Sequence, residues 1–291
     1  MTVREILSAA ATRLGEAGVV SAASDAAILL AHAWGVELAE VHRAQVLDRR
    51  PDVAVLTRFA DLVSERASRI PLQHLTGRAP FRHLELAVGP GVFVPRPETE
   101  MLVDLVASHL QHGSPTVVDL CTGSGALAFA VKQEFPQTLV YAVELSKEAV
   151  AWAQLNRQLL GLDVDIRQGD ATSAFDDLVG QVDVVLSNPP YIPDGMVPID
   201  PEVRDHDPHL ALFGGSADGL AIPVQVAARA ARLLRPGGRL AMEHAATQGK
   251  SLPEAILAQG YWSEVEDHHD LTDAARVTVA TKHLKQRQWR A

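Results

Sequence analysis

The 291-residue chain has one cysteine, Cys121. No disulfide can form within it and no thiolate cluster can hold zinc, and such sparing use of thiols fits a reducing, cytoplasmic compartment. No uninterrupted apolar run approaches the roughly 20 residues that span a bilayer. Positive charge is in deficit: 26 Lys and Arg stand against 36 Asp and Glu, a net charge of -10. A protein that grips duplex nucleic acid by neutralising phosphates needs the opposite balance, so no stable nucleic acid partner is expected. The opening residues, MTVREILSAA, carry Arg4 and Glu5 and read as an amphipathic helix, not a secretory leader.

What is present suits a folded chain. With 47% hydrophobic and 21% charged residues, its length accommodates one large domain and one small one. Residues 1–75 read as all-helical. Thr2 and Glu5 have capping-box spacing, and Ile6, Ala10 and Leu14 repeat at helical intervals before Gly18. Ser24 is placed to cap a second helix through Ile28, Leu29 and Trp34, ended by Gly35. A third carries Leu56, Phe59 and Val63 on one face. Up to Leu75 there are 8 Arg, no Lys and 9 acidic residues, a nearly neutral module without visible chemistry, suited to packing or docking. Residues 76–100 read as a hairpin linker: Leu84, Leu86 and Val88 alternate, Gly89-Pro90-Gly91 turns the chain, and Val92 and Val94 follow.

The remaining stretch, 101–291, reads as the larger domain. Short apolar runs at 116–120, 139–143, 164–168, 182–186 and 239–243 alternate with helical segments. This predicts an α/β, doubly wound, mostly parallel sheet. Runs at 263–267 and 276–280 lie too close for a helical crossover and bring the sheet to seven strands with an antiparallel edge hairpin.

Motifs sit at the strand ends. Gly123-Ser124-Gly125 lies between a strand and a helix, where glycine lets backbone approach a ligand. With Ala128 it also satisfies the dinucleotide pattern, so alone it does not separate one nucleoside cofactor from another. Glu144 ends the second run, placed for ribose hydroxyls, and Asp170 ends the third, where an adenine amino group is expected. The glycine-rich loop and the two acids in register along successive strand ends imply an adenosine-bearing cofactor. The fourth run leads into Ser187-Asn188-Pro189-Pro190-Tyr191-Ile192-Pro193. The prolines end any ladder, leaving an amide, a carbonyl and an aromatic ring at the sheet's edge.

In this order, DLCTGSG, VELS, GD, SNPPYIP and RPGG resemble the class I S-adenosylmethionine-dependent methyltransferases, which have a Rossmann-like fold. More narrowly, PLQHLTGRAPF, VPRPETE, SNPPYIP, the helical front end and EVRDHDPHLALFGG resemble the bacterial release-factor glutamine methyltransferases over nearly the whole chain. The resemblance implies methyl transfer from S-adenosylmethionine, leaving S-adenosylhomocysteine, to N5 of the glutamine in the Gly-Gly-Gln loop of peptide-chain release factors. The enzyme is expected to be a cytoplasmic monomer, with the helical domain gripping a second surface of the factor. Implied cofactor residues are Asp119, Thr122, Gly123, Gly125, Glu144, Asp170, Asn188 and Thr99. The segment Pro95–Glu100 would close over the methionine end of the cofactor. Asn188, Pro189 and Tyr191 are the expected catalytic residues and, with Pro190, the substrate site.

A carboxamide nitrogen is a poor nucleophile, and Asn188 Oδ1 with the Pro189 carbonyl could hold its two N–H groups while Tyr191 excludes water. Methyl transfer from a sulfonium needs no enzyme nucleophile. Cys121, which stands where the family has Gly, therefore reads as a small filler. His206 and His209 lie in a Pro- and Asp-rich loop that reads as a mobile cover over the substrate channel. Neither they nor His268-His269 are expected to bind metal. The basic tail, with Lys282, Lys285, Arg287 and Arg290, reads as a solvated end or a contact for RNA-associated partners. Asn-Pro-Pro-Tyr also occurs in adenine-N6 and guanine-N2 methyltransferases, so a flipped base and a ribosomal-protein glutamine are the competing substrates.

Overall fold

In the computed structural model, which describes residues 1–284, the chain divides into two units. One is Met1–Arg78 together with Pro198–His206, and the other is Ala79–Val197 together with the chain from Asp207 onward. The tail residues Lys285, Arg287 and Arg290 lie outside the described residues.

The first unit opens with α1 (Val3–Glu16), whose Thr2–Glu5 capping box is formed. Helix α2 (Ala22–Trp34) begins ahead of the expected cap, and Ser24 lies inside it. The residue before the helix, Ser21, gives its hydroxyl to Asp25 Oδ1 at 2.7 Å. Helix α3 (Leu38–Val46) has no counterpart in the sequence reading, because it buries only Val41 and Ala44 and leaves little periodicity to see. Asp52 caps α4 (Val53–Ala67), which buries Val55, Phe59 and Val63, and α5 (Leu72–Thr76) follows. Leu14, Leu29, Leu30, Phe59 and Val63 meet in one apolar core.

A two-stranded ribbon follows, β1 (Arg78–Phe81) and β2 (Leu84–Ala87), which from Ala79 onward belongs to the second unit. Its turn is Arg82-His83, not Gly89-Pro90-Gly91 as the alternation suggested. Arg82 adopts a left-handed φ of 51° there. Its amide bonds Glu100, and its guanidinium reaches Asp104, Glu134 and the Glu100 carbonyl. The later Pro90 carbonyl accepts from Trp152 Nε1 at 3.2 Å instead. After α6 (Met101–Val106) come β3 (Thr116–Leu120), α7 (Ala126–Glu134), β4 (Leu139–Glu144), α8 (Lys147–Leu160), β5 (Asp165–Gln168) and β6 (Val182–Ser187). Helix α9 (Pro201–His206) belongs to the first unit. Then follow α10 (Ala221–Leu233), β7 (Leu234–Glu243), α11 (Ser251–Ala258), β8 (Trp262–His269) and β9 (Ala275–Lys282).

The seven strands run in the order β5-β4-β3-β6-β7-β9-β8. All are parallel except β9, which pairs antiparallel with both β7 and β8. Both faces are covered, as a parallel sheet requires. Val117, Val184 and Leu186 turn towards Val103, Leu127 and Phe129. Val118, Leu120 and Val185 turn the other way, towards Val226, Ile256 and Trp262. The order reverses between β3 and β6, where Leu120 lies opposite Ser187. Crevices at such reversals, outside the carboxyl ends of the strands, are where doubly wound sheets bind ligands. Among the described residues, no helix is long and apolar enough to cross a membrane.

Within the first unit, charge is buried but paired. Arg66, only 6% exposed, donates to Asp25 from α2 at 2.8 Å and to Glu202 from α9 at 2.7 Å. Arg69 also holds Glu202, at 2.8 Å. Burial pushes the Glu202 carboxyl up, but bonds from Arg69, Asp200 and Arg66 outweigh this and hold it below the usual carboxylate range. A depressed native pKa contributes stability above the unfolded value, and that contribution fades as pH falls towards the native one. Glu202→Gln should therefore cost about 2 kcal/mol at neutral pH, the worth of a hydrogen bond to a charged group. The deficit should shrink progressively below about pH 4, near the unfolded glutamate pKa. Denaturant titrations of both proteins across this range measure it, together with faster proteolysis of segment 198–206.

Candidate active site

Strand β6 stops because Pro189 and Pro190, both buried, cannot donate to a ladder. Ser187, the last strand residue, gives its hydroxyl to the Leu120 carbonyl at 2.6 Å, locking the ends of β6 and β3 together. Asn188 thus leaves the sheet beside the loop that begins at Cys121.

Asn188 Nδ2 donates to Thr99 Oγ1 at 3.2 Å, and that hydroxyl donates to Glu243 Oε2 at 2.6 Å. The Tyr191 hydroxyl donates to the other oxygen of Glu243 at 3.1 Å. Glu243 ends β7 and is 2% exposed. Burial raises its pKa against the two hydroxyl bonds, and burial beside this carboxylate also raises that of Tyr191. The Tyr191 carbonyl accepts from Gln248 Nε2 at 2.9 Å, and Gln248 also bonds Asp218. Gly219 lies so near that a Cβ there would stand 2.1 Å from the Tyr191 carbonyl oxygen. Residues 212–219 therefore brace Tyr191 and Ile192, the latter through bonds to Leu212 and Gly214. Upstream, Arg96 stacks on Phe93 and pairs with Asp207, holding the Pro-Arg-Pro segment.

The glycine-rich loop is organised from below by Asp119, fully buried in β3. Its Oδ2 accepts from the Thr122 hydroxyl at 2.5 Å and from the Ala128 amide at 3.2 Å, while Oδ1 has no partner. Burial, reinforced by the charge of Glu144, pushes Asp119 up to about 7 despite those bonds. Glu144 accepts from the amides of Gly123 and Ser146, each at 2.9 Å, so its carboxylate is fixed at the loop's edge. Gly125 is required on two counts: its φ is 90°, and a Cβ would strike the Phe129 ring at 2.2 Å. A Cβ on Gly123 would meet nothing within 4 Å, so this side of the loop is open. Asp170 is exposed, with Oδ1 turned back onto Thr172, and Gly169 beside it bonds the Glu144 carbonyl.

The structure thus gathers Asn188, Thr99 and Tyr191 around one carboxylate, and Asp119, Thr122, Gly123 and Glu144 around one loop. Thr99 does not stand free for a ligand, since its hydroxyl is shared between Asn188 and Glu243. Three supporting residues escaped the sequence reading. Glu243 ends an apolar run just as Glu144 does, a signal that could have marked it. Asn156, 1% exposed, binds both the Ala87 backbone and the Ser124 carbonyl. It falls at helical spacing with buried Ala149 and Ala153, so a polar residue on an inward face was the clue. Gln248 carried no signal. Among the described residues, no group of three His, Cys, Asp or Glu is placed to hold a metal.

Cys121 adopts φ 67°, a left-handed conformation that costs a side chain about 1–2 kcal/mol. Burial, with Glu144 and Asp119 nearby, pushes its thiol well above the usual range, which makes a poor nucleophile. Cys121→Gly should release the strain and raise the unfolding midpoint of the larger unit by about 2–4 °C for each 1 kcal/mol recovered, read by calorimetry.

Residues 82–198 match the model of the "Methyltransferase small domain" and residues 5–77 that of the "PrmC N-terminal domain". Among solved structures, a methyltransferase from Pyrococcus furiosus aligns with TM-score 0.52 at 19% identity, covering 69% of this chain and 90% of its own. The 16S rRNA N2 G1207 methyltransferase of Thermus thermophilus, in complex with AdoMet and guanosine, aligns with TM-score 0.50 at 21% identity, covering 71% of this chain and 50% of its own. Both likenesses concern the fold. The release factor glutamine methyltransferase of Streptomyces coelicolor is 49% identical over 94% of this chain and 96% of its own length. That of Bifidobacterium longum is 44% identical over 90% and 93%, and that of Mycolicibacterium smegmatis 45% over 96% and 98%. With its fold, its Asn-Pro-Pro-Tyr turn and relatives of this identity along nearly its whole length, the chain belongs to the release factor glutamine methyltransferase family.

Proposed function

We propose that this protein transfers the methyl group of S-adenosylmethionine to the side-chain amide nitrogen, N5, of the glutamine in the Gly-Gly-Gln motif of peptide-chain release factors, in the cytoplasm. The observation that carries the proposal is the state of Asn188. One N–H of its amino group goes to Thr99, and Oδ1 is left as an acceptor at the end of β6. A primary carboxamide offers two N–H donors. Asn188 Oδ1 takes one, and the Pro189 carbonyl, in a turn that two prolines stiffen, takes the other. Tyr191 walls the amide plane and excludes water. Bound S-adenosylmethionine supplies an electrophilic methyl carbon. The amide nitrogen would gain the N–C bond as the methyl's bond to the sulfonium sulfur breaks, S-adenosylhomocysteine would leave, and one of the nitrogen's two hydrogens would pass to water as a proton. The helical unit is assigned the grip on a second surface of the release factor.

The residues at the glycine-rich loop fit that cofactor. Asp119, Glu144 and Asp170 make the loop acidic, one oxygen of Asp119 is orphaned, and S-adenosylmethionine carries a net positive charge. Gly123 and Gly125 give backbone access, Thr122 pins Asp119, and Glu144 and Asp170 suit ribose and adenine. Affinity for S-adenosylmethionine should fall as pH drops through about 7 and Asp119 takes up its proton. Asp119→Asn should flatten that dependence in calorimetric titrations.

Incubation with labelled S-adenosylmethionine and unmodified release factor, ribosomes or DNA should place label on the release factor alone, and not on a factor whose motif glutamine is alanine. Label on nucleic acid or ribosomal protein instead would overturn the substrate assignment. Asn188→Ala should lower kcat by about 100-fold or more through lost positioning, with cofactor affinity intact.

A further inference from the structure

Glu243 is a buried carboxylate without an ion pair among the described residues, an arrangement that stability alone does not favour. Arg276, the cation whose field reaches it, bonds Asp270. Both Glu243 oxygens are occupied by hydroxyls from the predicted site, Thr99 on one and Tyr191 on the other.

Counting hydrogens in this network gives it a direction. Thr99 gives its single hydroxyl hydrogen to one oxygen of Glu243, as Tyr191 gives its own to the other. Towards Asn188 the Thr99 oxygen is then an acceptor and nothing else. Only the amino end of the Asn188 carboxamide satisfies it, and the carbonyl end must turn away. Rotating the amide by half a turn would set two acceptor oxygens against each other and present N–H groups to a substrate amide that is itself a donor. Strand register holds the arrangement: Met242 lies opposite Ser187, so Glu243 leaves β7 level with Asn188 leaving β6, and Glu243 is itself paired with Val277 of β9.

We infer that Glu243 is a positioning residue that acts through Thr99 to fix which end of the Asn188 carboxamide faces the substrate. The inference rests on the reading of Asn188 as the substrate acceptor. It gives Thr99 a task in the nucleophile's half of the site, distinct from binding the methionine end of the cofactor.

The test is steady-state kinetics on the full-length enzyme with unmodified release factor, alongside calorimetric binding of S-adenosylhomocysteine. Glu243→Gln keeps the shape but adds a donor, and Thr99→Val keeps the shape but removes the hydroxyl. Each should lower kcat by about 10–100-fold, the scale of a misoriented reacting group. S-adenosylhomocysteine affinity should stay unchanged, the double variant should be no slower than the slower single one, and Thr99→Ser should restore the rate. Wild-type kcat in Glu243→Gln or Thr99→Val, or a Thr99→Ser as slow as Thr99→Val, would overturn the inference. So would a loss confined to cofactor affinity. If Glu243→Gln fails to fold, the Thr99 pair decides alone. Asn188→Ala separates the two levels. An active Asn188→Ala refutes the substrate-acceptor reading, whereas an inactive one beside fully active Glu243→Gln and Thr99→Val refutes only the role of Glu243.

Discussion

The pairing of β3 with β6, with Leu120 opposite Ser187, is the constraint on which the site depends. After β5 the chain returns across the sheet and lays β6 on the free edge of β3. Two strands far apart in sequence then end level with each other. In a sheet whose two faces pack against different helices, a slip of one residue would send Val184 and Leu186 to the wrong core, so the register is held along the whole strand. The Ser187–Leu120 bond secures the last rung. Because β7 then pairs with β6, the same register delivers Glu243 to the level of Asn188.

Buried carboxylates meet cations in the first unit, and at Asp207 in the second, but not at Asp119 or Glu243. In the first, Asp25 and Glu202 are met by Arg66 and Arg69, and charge is neutralised within the fold. In the second, Asp119 and Glu243 are met by hydroxyls and a backbone amide, which satisfy both oxygens of Glu243 and one of Asp119 without bringing a cation. Paired ions hold helices together. Carboxylates at strand ends without a cation beside them suit a cationic ligand when ionised, and they set which way neighbouring hydroxyls and amides point. The strain at Cys121 falls in the same place, where the backbone must turn beneath the glycine-rich loop.

Much of this was legible along the chain. The seven apolar runs, the glycine-rich turn, the carboxylates after two strands and the double proline after a third each announce themselves locally. Strand alternation, turn chemistry and strand-ending acids act over a few residues. The short helix α3 was not legible, having only two buried residues to betray it. The ribbon turn was misplaced because Gly-Pro-Gly is the stronger local signal, yet Glu100, Asp104 and Glu134, distant in sequence, hold Arg82 in the turn instead.

The sequence by itself determined the layering of the sheet, the acidic glycine-rich loop and the Asn-Pro-Pro-Tyr turn, because periodicity, capping and proline geometry are properties of neighbours. Only the tertiary structure decided what those residues face. Thr99 and Asn188 are 89 positions apart, and Tyr191 and Glu243 are 52. Their donors and acceptors acquire roles only when strand register brings them within 3.2 Å. The orientation of a carboxamide is set by the partners around it, and those partners, Thr99 and behind it Glu243, come from segments far apart in the chain.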